Sequence, residues 1–64
     1  MGEVKASMYQ SATATIACRW FSANDIVAVS FSHRGDNGTL WFLASADGDH
    51  WVCYPEHHLT RFCL

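Results

Sequence analysis

Residues 26–55 read IVAVSFSHRGDNGTLWFLASADGDHWVCYP. Apolar side chains alternate with small or polar ones from residue 26, as they do in a strand that buries one face. Two segments rich in Gly and Asp, 35–38 and 47–50, interrupt the apolar runs, and glycine tolerates the positive φ that tight hairpin loops require. The segment therefore predicts three antiparallel strands in a meander, at 26–33, 39–46 and 51–55.

The sequence before the meander favours one further strand, at 12–21. A helix is the alternative for this stretch, but its β-branched residues lower helix propensity, so we prefer the strand. Residues 22–25 follow as a turn, because Ser, Asn and Asp side chains bond to the local backbone. One alternating face of the predicted strand carries Ala14, Ile16, Cys18 and Trp20.

The sequence after the meander predicts a helical turn and a last strand. Pro55 suits the first position of a helical turn, and Glu56 is favoured at its positive end. We therefore expect a single turn at 56–59. Residues 60–64 form either a short strand or a continuation of the helix, and the strand is the preferred interpretation.

The chain length allows one small domain. A chain of 64 residues buries only about 60% of the surface that it exposes when unfolded. Such a core usually needs a disulfide, a metal or self-association to stabilise it. We predict an all-β domain at 12–64, a single small barrel of about five antiparallel strands, preceded by a flexible N-terminal arm at 1–11 whose sequence is polar and aperiodic.

Charge and cysteine content exclude several classes of protein. Four Lys and Arg are scattered among six Asp and Glu, whereas nucleic-acid binding depends on clustered cations, so a nucleic-acid partner is not expected. The chain offers no signal-peptide pattern and no segment long enough to span a bilayer, which predicts a cytoplasmic protein without membrane contact. Three cysteines lack the spacing of a disulfide scaffold, so we expect reduced thiols.

The third predicted strand is apolar on both faces. Leu40, Trp41, Phe42 and Leu43 follow one another, and a chain this short covers only one face of its sheet. The outward pair, either Trp41 with Leu43 or Leu40 with Phe42, is therefore expected to pack on another subunit or a ligand. The alternative is a closed barrel whose second face is covered by the N-terminal arm. We prefer association, with a second copy or another protein as the partner.

Aromatic side chains extend this candidate surface. Trp41, Trp51 and Tyr54 fall on neighbouring predicted strands, and exposed aromatics on small barrels bind peptides and cationic groups. Core packing is the alternative for each one, but a barrel of this size cannot easily bury three Trp and four Phe together. Together with Leu43 and Val52, these three residues make up the predicted partner or ligand surface.

A metal site is the most chemical alternative. The potential zinc ligands are His50, Cys53, His57, His58 and Cys63, and a zinc site needs four such groups to converge at about 2.0–2.3 Å. Their spacing is not that of a zinc finger, and residues three apart on a strand point to opposite faces. We therefore prefer ordinary surface histidines with no cofactor, and keep zinc as an alternative. A catalytic Cys–His pair lacks an orienting third group.

The order of elements resembles the SH3-like small barrels, and within them the plasmid-encoded type B dihydrofolate reductases. The resemblance covers roughly 18–62. It depends on Ile26-Val27, on a Gly-containing hairpin ending at Gly38, and above all on Tyr54-Pro55 followed by Leu59 and Arg61. It implies a fold that assembles into rings with a shared pore. Where that family has a Gln-Ile-Tyr run, this chain has Val52-Cys53-Tyr54, and where the family has a pore lysine, it offers only Arg19. The resemblance therefore does not extend to hydride transfer.

These observations favour one function over two others. The leading hypothesis is a non-enzymatic interaction module that associates with itself or with a protein partner through an apolar sheet face, as in short accessory proteins of phages or mobile elements. The first alternative is a ring-forming enzyme or ligand-binding oligomer with a central pore. The second is a small domain stabilised by zinc.

Overall fold

A computed structural model describes residues 5–64 as an all-β fold, which confirms the predicted fold class. The five strands form one antiparallel sheet in the order β4-β3-β2-β1-β5. Two short 3₁₀ turns, Ala6–Met8 and Glu56–His58, are the only helical elements in this part of the chain. The strands are β1 (Ser11–Ala14), β2 (Ile26–Arg34), β3 (Leu40–Ser45), β4 (Val52–Pro55) and β5 (Leu59–Cys63).

The predicted meander corresponds to β2, β3 and β4. In the turn between β2 and β3, the Gly38 N–H donates to the carbonyl of Gly35 at 3.0 Å, and Gly38 adopts a φ of +87°. Only glycine adopts that conformation without cost, which is why the sequence signal located this hairpin correctly. The pairing of β2 with β3 shifts register between Phe31 and His33, so β2 contains a bulge there.

The strand predicted at 12–21 was too long, because β1 ends at Ala14. Ala14 lies opposite Leu59, the first residue of β5, and its N–H donates to the Asp25 carbonyl just before β2 begins. Both partner strands therefore end at this point. The Thr15 N–H still donates to the His58 carbonyl at 3.0 Å, but a longer β1 would have no further strand residues to pair with. The chain turns away instead, and the predicted inward residues Ile16 and Trp20 are 46% and 40% exposed.

The turn predicted at 22–25 is confirmed. The Ser22 N–H donates to the Asp25 carboxylate at 2.9 Å, and the Asp25 N–H donates back to the Ser22 carbonyl at 3.2 Å. Asn24 adopts a φ of 75°, which asparagine tolerates better than most residues. The turn brings Phe21 into the core, where it is 6% exposed.

The inner face of the sheet carries the core. Phe42 lies at its centre, with its ring centroid 5.7 Å from that of Phe31 and 5.0 Å from that of Phe62. Burying a side chain of this size contributes roughly 1.5–3 kcal/mol to stability. The buried apolar residues are Ala12, Ala14, Phe21, Val27, Val29, Phe42, Ala44, Tyr54 and Leu59.

Residues that precede β1 join the sheet. The Gln10 N–H donates to the Cys63 carbonyl at 2.8 Å, and the Gln10 carbonyl accepts from the Val29 N–H at 2.9 Å. Tyr9 packs on Phe62 with ring centroids 4.9 Å apart. Of the predicted arm at 1–11, residues 1–4 lie outside the described residues, and the rest runs as a 3₁₀ turn into the start of β1.

The C-terminal elements follow the preferred interpretation of the sequence. A 3₁₀ turn occupies Glu56–His58, and β5 follows at Leu59–Cys63, so the helical continuation is wrong. Arg61 lies at the irregularity where β5 shifts register against β1. Its φ of 54° is part of this irregularity. Across residues 5–64, the structure has no helix with the length and apolar character needed to cross a bilayer.

Candidate functional site

The outer face of the sheet, defined here by Ile26, Trp41, Leu43 and Cys53, points away from the core. Leu43 lies opposite Cys53 on β4 and is 37% exposed, while Ile26 at the start of β2 is 76% exposed. The third strand is therefore apolar on both faces, as the sequence indicated. Between the two pairs that the sequence left open, the structure places Trp41 and Leu43 outward and buries Phe42.

Trp41 is the more protected of the two outward residues. Its ring lies parallel to that of His33, with an interplanar angle of 2° and centroids 6.1 Å apart. A Cβ added at Gly35 would come within 3.1 Å of the Trp41 indole nitrogen, so the hairpin turn also covers this side chain. Leu43 has only small neighbours on the adjoining strands, with Ser30 on one side and Cys53 on the other, and it is left open.

Two residues of the predicted binding surface lie on the opposite side of the sheet. Tyr54 is paired with Phe42, and Val52 with Ala44, both on the inner face. Tyr54 is 7% exposed, so it belongs to the core. Alternation along β4 explains the division, because successive side chains point to opposite faces.

The Tyr54 hydroxyl is held inside the protein. It donates to the Ile16 carbonyl at 2.8 Å, and burial, followed by the neighbouring Cys18 thiol, raises its pKa to about 12. This hydrogen bond therefore connects β4 with the loop that joins β1 and β2. The sequence pattern predicted Ile16 on the inward face of a strand and gave no signal for this bond.

A second surface cluster, the Trp20–His50 stack, joins two loops. The Trp20 and His50 rings are 3.7 Å apart with an interplanar angle of 9°, and the Arg19 guanidinium lies 5.0 Å from the centroid of the Trp20 ring. Trp51 follows His50 in the sequence and is 44% exposed. Its indole N–H donates to the Gly48 carbonyl at 3.1 Å. Trp20 was missed as a surface residue because the sequence placed it on the buried face of an overlong strand.

Asp47 organises the loop between β3 and β4. Its carboxylate contacts the His50 imidazole at 2.7 Å and accepts from the backbone N–H groups of Asp49 and His50. The His50 side chain, followed by these backbone donors, holds the pKa of the Asp47 carboxyl well below its usual range. The His50 ring thus contacts the Asp47 carboxylate through its Nδ1 atom and the Trp20 indole through its face.

The structure disperses the predicted metal ligands. His50 lies in the loop before β4, Cys53 lies on the outer face, and the His57 and His58 rings meet each other at 4.6 Å in the 3₁₀ turn. Within residues 5–64, no three His, Cys, Asp or Glu side chains are grouped to hold a metal ion. Cys18, Cys53 and Cys63 are free thiols.

An aromatic cleft that the sequence did not predict opens on the core side of the sheet. Its volume is about 370 Å³. The sequence carries no local signal for this cleft, because Tyr9 belongs to the predicted flexible arm and the other lining residues lie on distant parts of the chain. The cleft is lined by Tyr9, Leu40, Phe42, Glu56, His57 and Phe62.

Comparison of the chain with protein-family models, with characterised proteins and with solved structures finds no match.

Proposed function

We propose that this protein is a non-enzymatic interaction module that associates through the outer face, with a second copy of the chain as its partner. The observation that carries the proposal is Leu43, which is 37% exposed in the middle of β3. Apolar surface in water is unfavourable by roughly 25 cal/mol per Å². Contact with a second outer face removes that surface from water.

The shape of the outer face supports this use. On β2, the neighbours of the exposed apolar side chains are Ala28 and Ser30, which are small and exposed. Small side chains let another protein surface approach closely, so that Leu43 and Ile26 reach apolar partners. A symmetric pair needs only one such patch, because the same residues serve both subunits.

The topology supports the resemblance to SH3-like small barrels. The sheet order β4-β3-β2-β1-β5, with Tyr54-Pro55 leading into a 3₁₀ turn and then β5, agrees with the arrangement that suggested the likeness. A ring whose pore is lined by Val52 and Tyr54 gains no support, because both residues face the core. We therefore propose association without catalysis.

Sedimentation velocity over a range of protein concentrations tests the proposal. We expect the unmodified protein to sediment as an oligomer that dissociates on dilution. The variant Leu43→Lys is expected to be monomeric, because a charge in the contact would have to be desolvated. Circular dichroism shows whether the variant remains folded.

Ile16→Lys is the matched control. Ile16 is 46% exposed and lies in the loop after β1, where its carbonyl accepts from the hydroxyl of the core residue Tyr54. The control introduces the same charge at a similar exposure, and it is expected to sediment like the unmodified protein. An unmodified protein that is monomeric at every concentration shows that self-association is wrong, as does equal dissociation of both variants.

A further inference from the structure

The aromatic cleft is built from three rings in contact. Phe62 is central, with its ring centroid 4.9 Å from that of Tyr9 and 5.0 Å from that of Phe42. Phe42 is 1% exposed and forms the floor, while Tyr9 and Phe62 are partly exposed at the sides. Aromatic faces carry a negative quadrupole and attract cations within about 6 Å of the ring centroid.

A carboxylate is fixed at the rim of the cleft. One Glu56 oxygen accepts a hydrogen bond from the Leu40 N–H at 3.3 Å, and both residues line the cleft. This bond holds the side chain over the start of β3. Throughout the described chain, no Lys, Arg or His forms an ion pair with Glu56, so its negative charge is available to an occupant.

Other charged groups near the cleft are few. His57 lines the same rim. Lys5 and Arg34 line a separate hollow of about 410 Å³, which shares only Leu40 with the aromatic cleft. Tyr9, Phe62 and Glu56 therefore supply the accessible part of the aromatic cleft, while the two basic side chains line the hollow beside it.

We propose that the aromatic cleft binds an alkylated ammonium group on a lysine side chain of a protein partner. Alkylation weakens the hydration of an ammonium group and favours contact with aromatic rings, as in aromatic cages for quaternary ammonium ligands. The Glu56 carboxylate supplies the opposite charge. This site lies on the core side of the sheet, so it is independent of association through the outer face.

The open form of the cleft favours a side chain over a free small molecule. Sites for small molecules usually enclose most of the ligand surface. Here Phe42 closes the floor, but the cleft is open to solvent above Tyr9 and Phe62. A group projecting from a larger molecule enters such a cleft while the remainder of the partner lies on the surrounding surface.

Nuclear magnetic resonance titration of the full chain tests the proposal. The probe is a short glycine peptide that carries one trimethyllysine. The comparison peptide replaces the trimethylammonium with a tert-butyl group of the same shape and no charge. We expect the charged peptide to shift the resonances of Tyr9, Phe62 and Glu56, and to bind at least about fivefold more tightly than the neutral peptide.

Glu56→Gln tests the carboxylate. The substitution keeps the shape of the side chain and an oxygen for the Leu40 N–H, and we expect it to weaken binding of the charged peptide about two- to fivefold. The matched control is Asp49→Asn, which removes an exposed carboxylate in the loop at the other end of β3. This control is expected to leave the affinity unchanged.

Tyr9→Leu tests the ring without altering a buried residue, since Tyr9 is partly exposed and precedes β1. We expect the preference for the charged over the neutral peptide to fall. Equal binding of the two peptides, or an equal effect of the Glu56 and Asp49 variants, overturns the proposal. Choline that binds as tightly as the charged peptide would assign the cleft to a free small molecule and would overturn the lysine assignment.

Discussion

The hydroxyl of Tyr54 donates to the backbone carbonyl of Ile16, which lies 38 residues earlier in the chain, at 2.8 Å. This bond joins β4 to the loop that follows β1, where the chain leaves the sheet. It lies beside Cys18, and burial together with that thiol raises the pKa of Tyr54 to about 12. The conformation of the loop after β1 is therefore coupled to the ionisation state of Tyr54.

Stability is expected to fall between pH 10 and pH 12 because of Tyr54. The pKa of the phenol is about 10 in the unfolded chain and about 12 in the fold, so only the unfolded chain ionises in this window. The neutral group contributes fully below pH 10, and this contribution to stability is lost progressively as the pH rises toward 12. Urea unfolding at several alkaline pH values measures the effect.

Tyr54→Phe is the matching variant for this experiment. At neutral pH it is expected to cost about 1 kcal/mol, because the Ile16 carbonyl loses its donor. It should also lose the extra alkaline sensitivity of the unmodified protein. Identical alkaline curves for the two proteins would show that Tyr54 does not cause the loss.

Asp47 is expected to confer acid sensitivity. Its folded pKa is lowered by the His50 side chain and by backbone donors, so its contribution is present above the ordinary pKa of an aspartate, about 3.9, and is lost as the pH falls toward the folded value. Asp47→Asn should therefore reduce the difference in urea midpoint between neutral and acidic solution. Asp49→Asn serves as the control, and a change of the same size in that variant would contradict the assignment.

Alanine substitutions at Gly38 and Gly48 are expected to strain the backbone, whereas alanine at Gly35 is expected to disturb a side-chain contact. Gly38 and Gly48 have φ values of +87° and +82° and open space around them, so Gly38→Ala or Gly48→Ala should cost about 1 kcal/mol through backbone strain alone. Gly35→Ala instead brings a Cβ within 3.1 Å of the Trp41 indole nitrogen. Its main effect should be a shift in tryptophan emission.

Urea unfolding and fluorescence spectra distinguish these two effects. A shift in emission for Gly38→Ala as large as that for Gly35→Ala would contradict the separation of strain from contact. Gly38→Asn should be milder than Gly38→Ala, since asparagine tolerates positive φ better.

Truncating the centre of the core is expected to unfold most of the population. Phe42 is 1% exposed, and Phe→Ala substitutions at such sites cost about 3–5 kcal/mol, which is comparable to the net stability of a domain of this size. Leu64→Ala, at a side chain that is 60% exposed, should change stability by less than about 0.5 kcal/mol. Circular dichroism and urea titration compare the two, and a folded, stable Phe42→Ala variant would refute this view of the core.

The meander was predictable because its signals are local. Alternation in β2, the glycines at 35 and 38, and Pro55 before the 3₁₀ turn each act within a few residues. The end of β1 was not predictable from these signals. Its length is set by Asp25 and Leu59, which lie far along the chain and complete its pairing at Ala14.

The candidate sites show the same division. An outward apolar pair on β3 followed from sequence because four large side chains in succession cannot all face one core. The stacking of Trp20 on His50 and the aromatic cleft depend on loops and strands that meet only in the fold. Residue type indicated that aromatic surface exists, but only the pairing of strands shows which side chains meet.

The position of β1 between β2 and β5 has a kinetic consequence. β5 pairs with β1 alone, with Ser11 opposite Cys63. The five-stranded sheet is therefore complete only when these two ends of the described chain meet. Pairings of such long sequence separation slow folding, because loop entropy is lost before contacts are gained. Hairpins between β2 and β3 and between β3 and β4 can form early because their strands are close in sequence, whereas one edge of β1 remains unpaired until β5 docks on it.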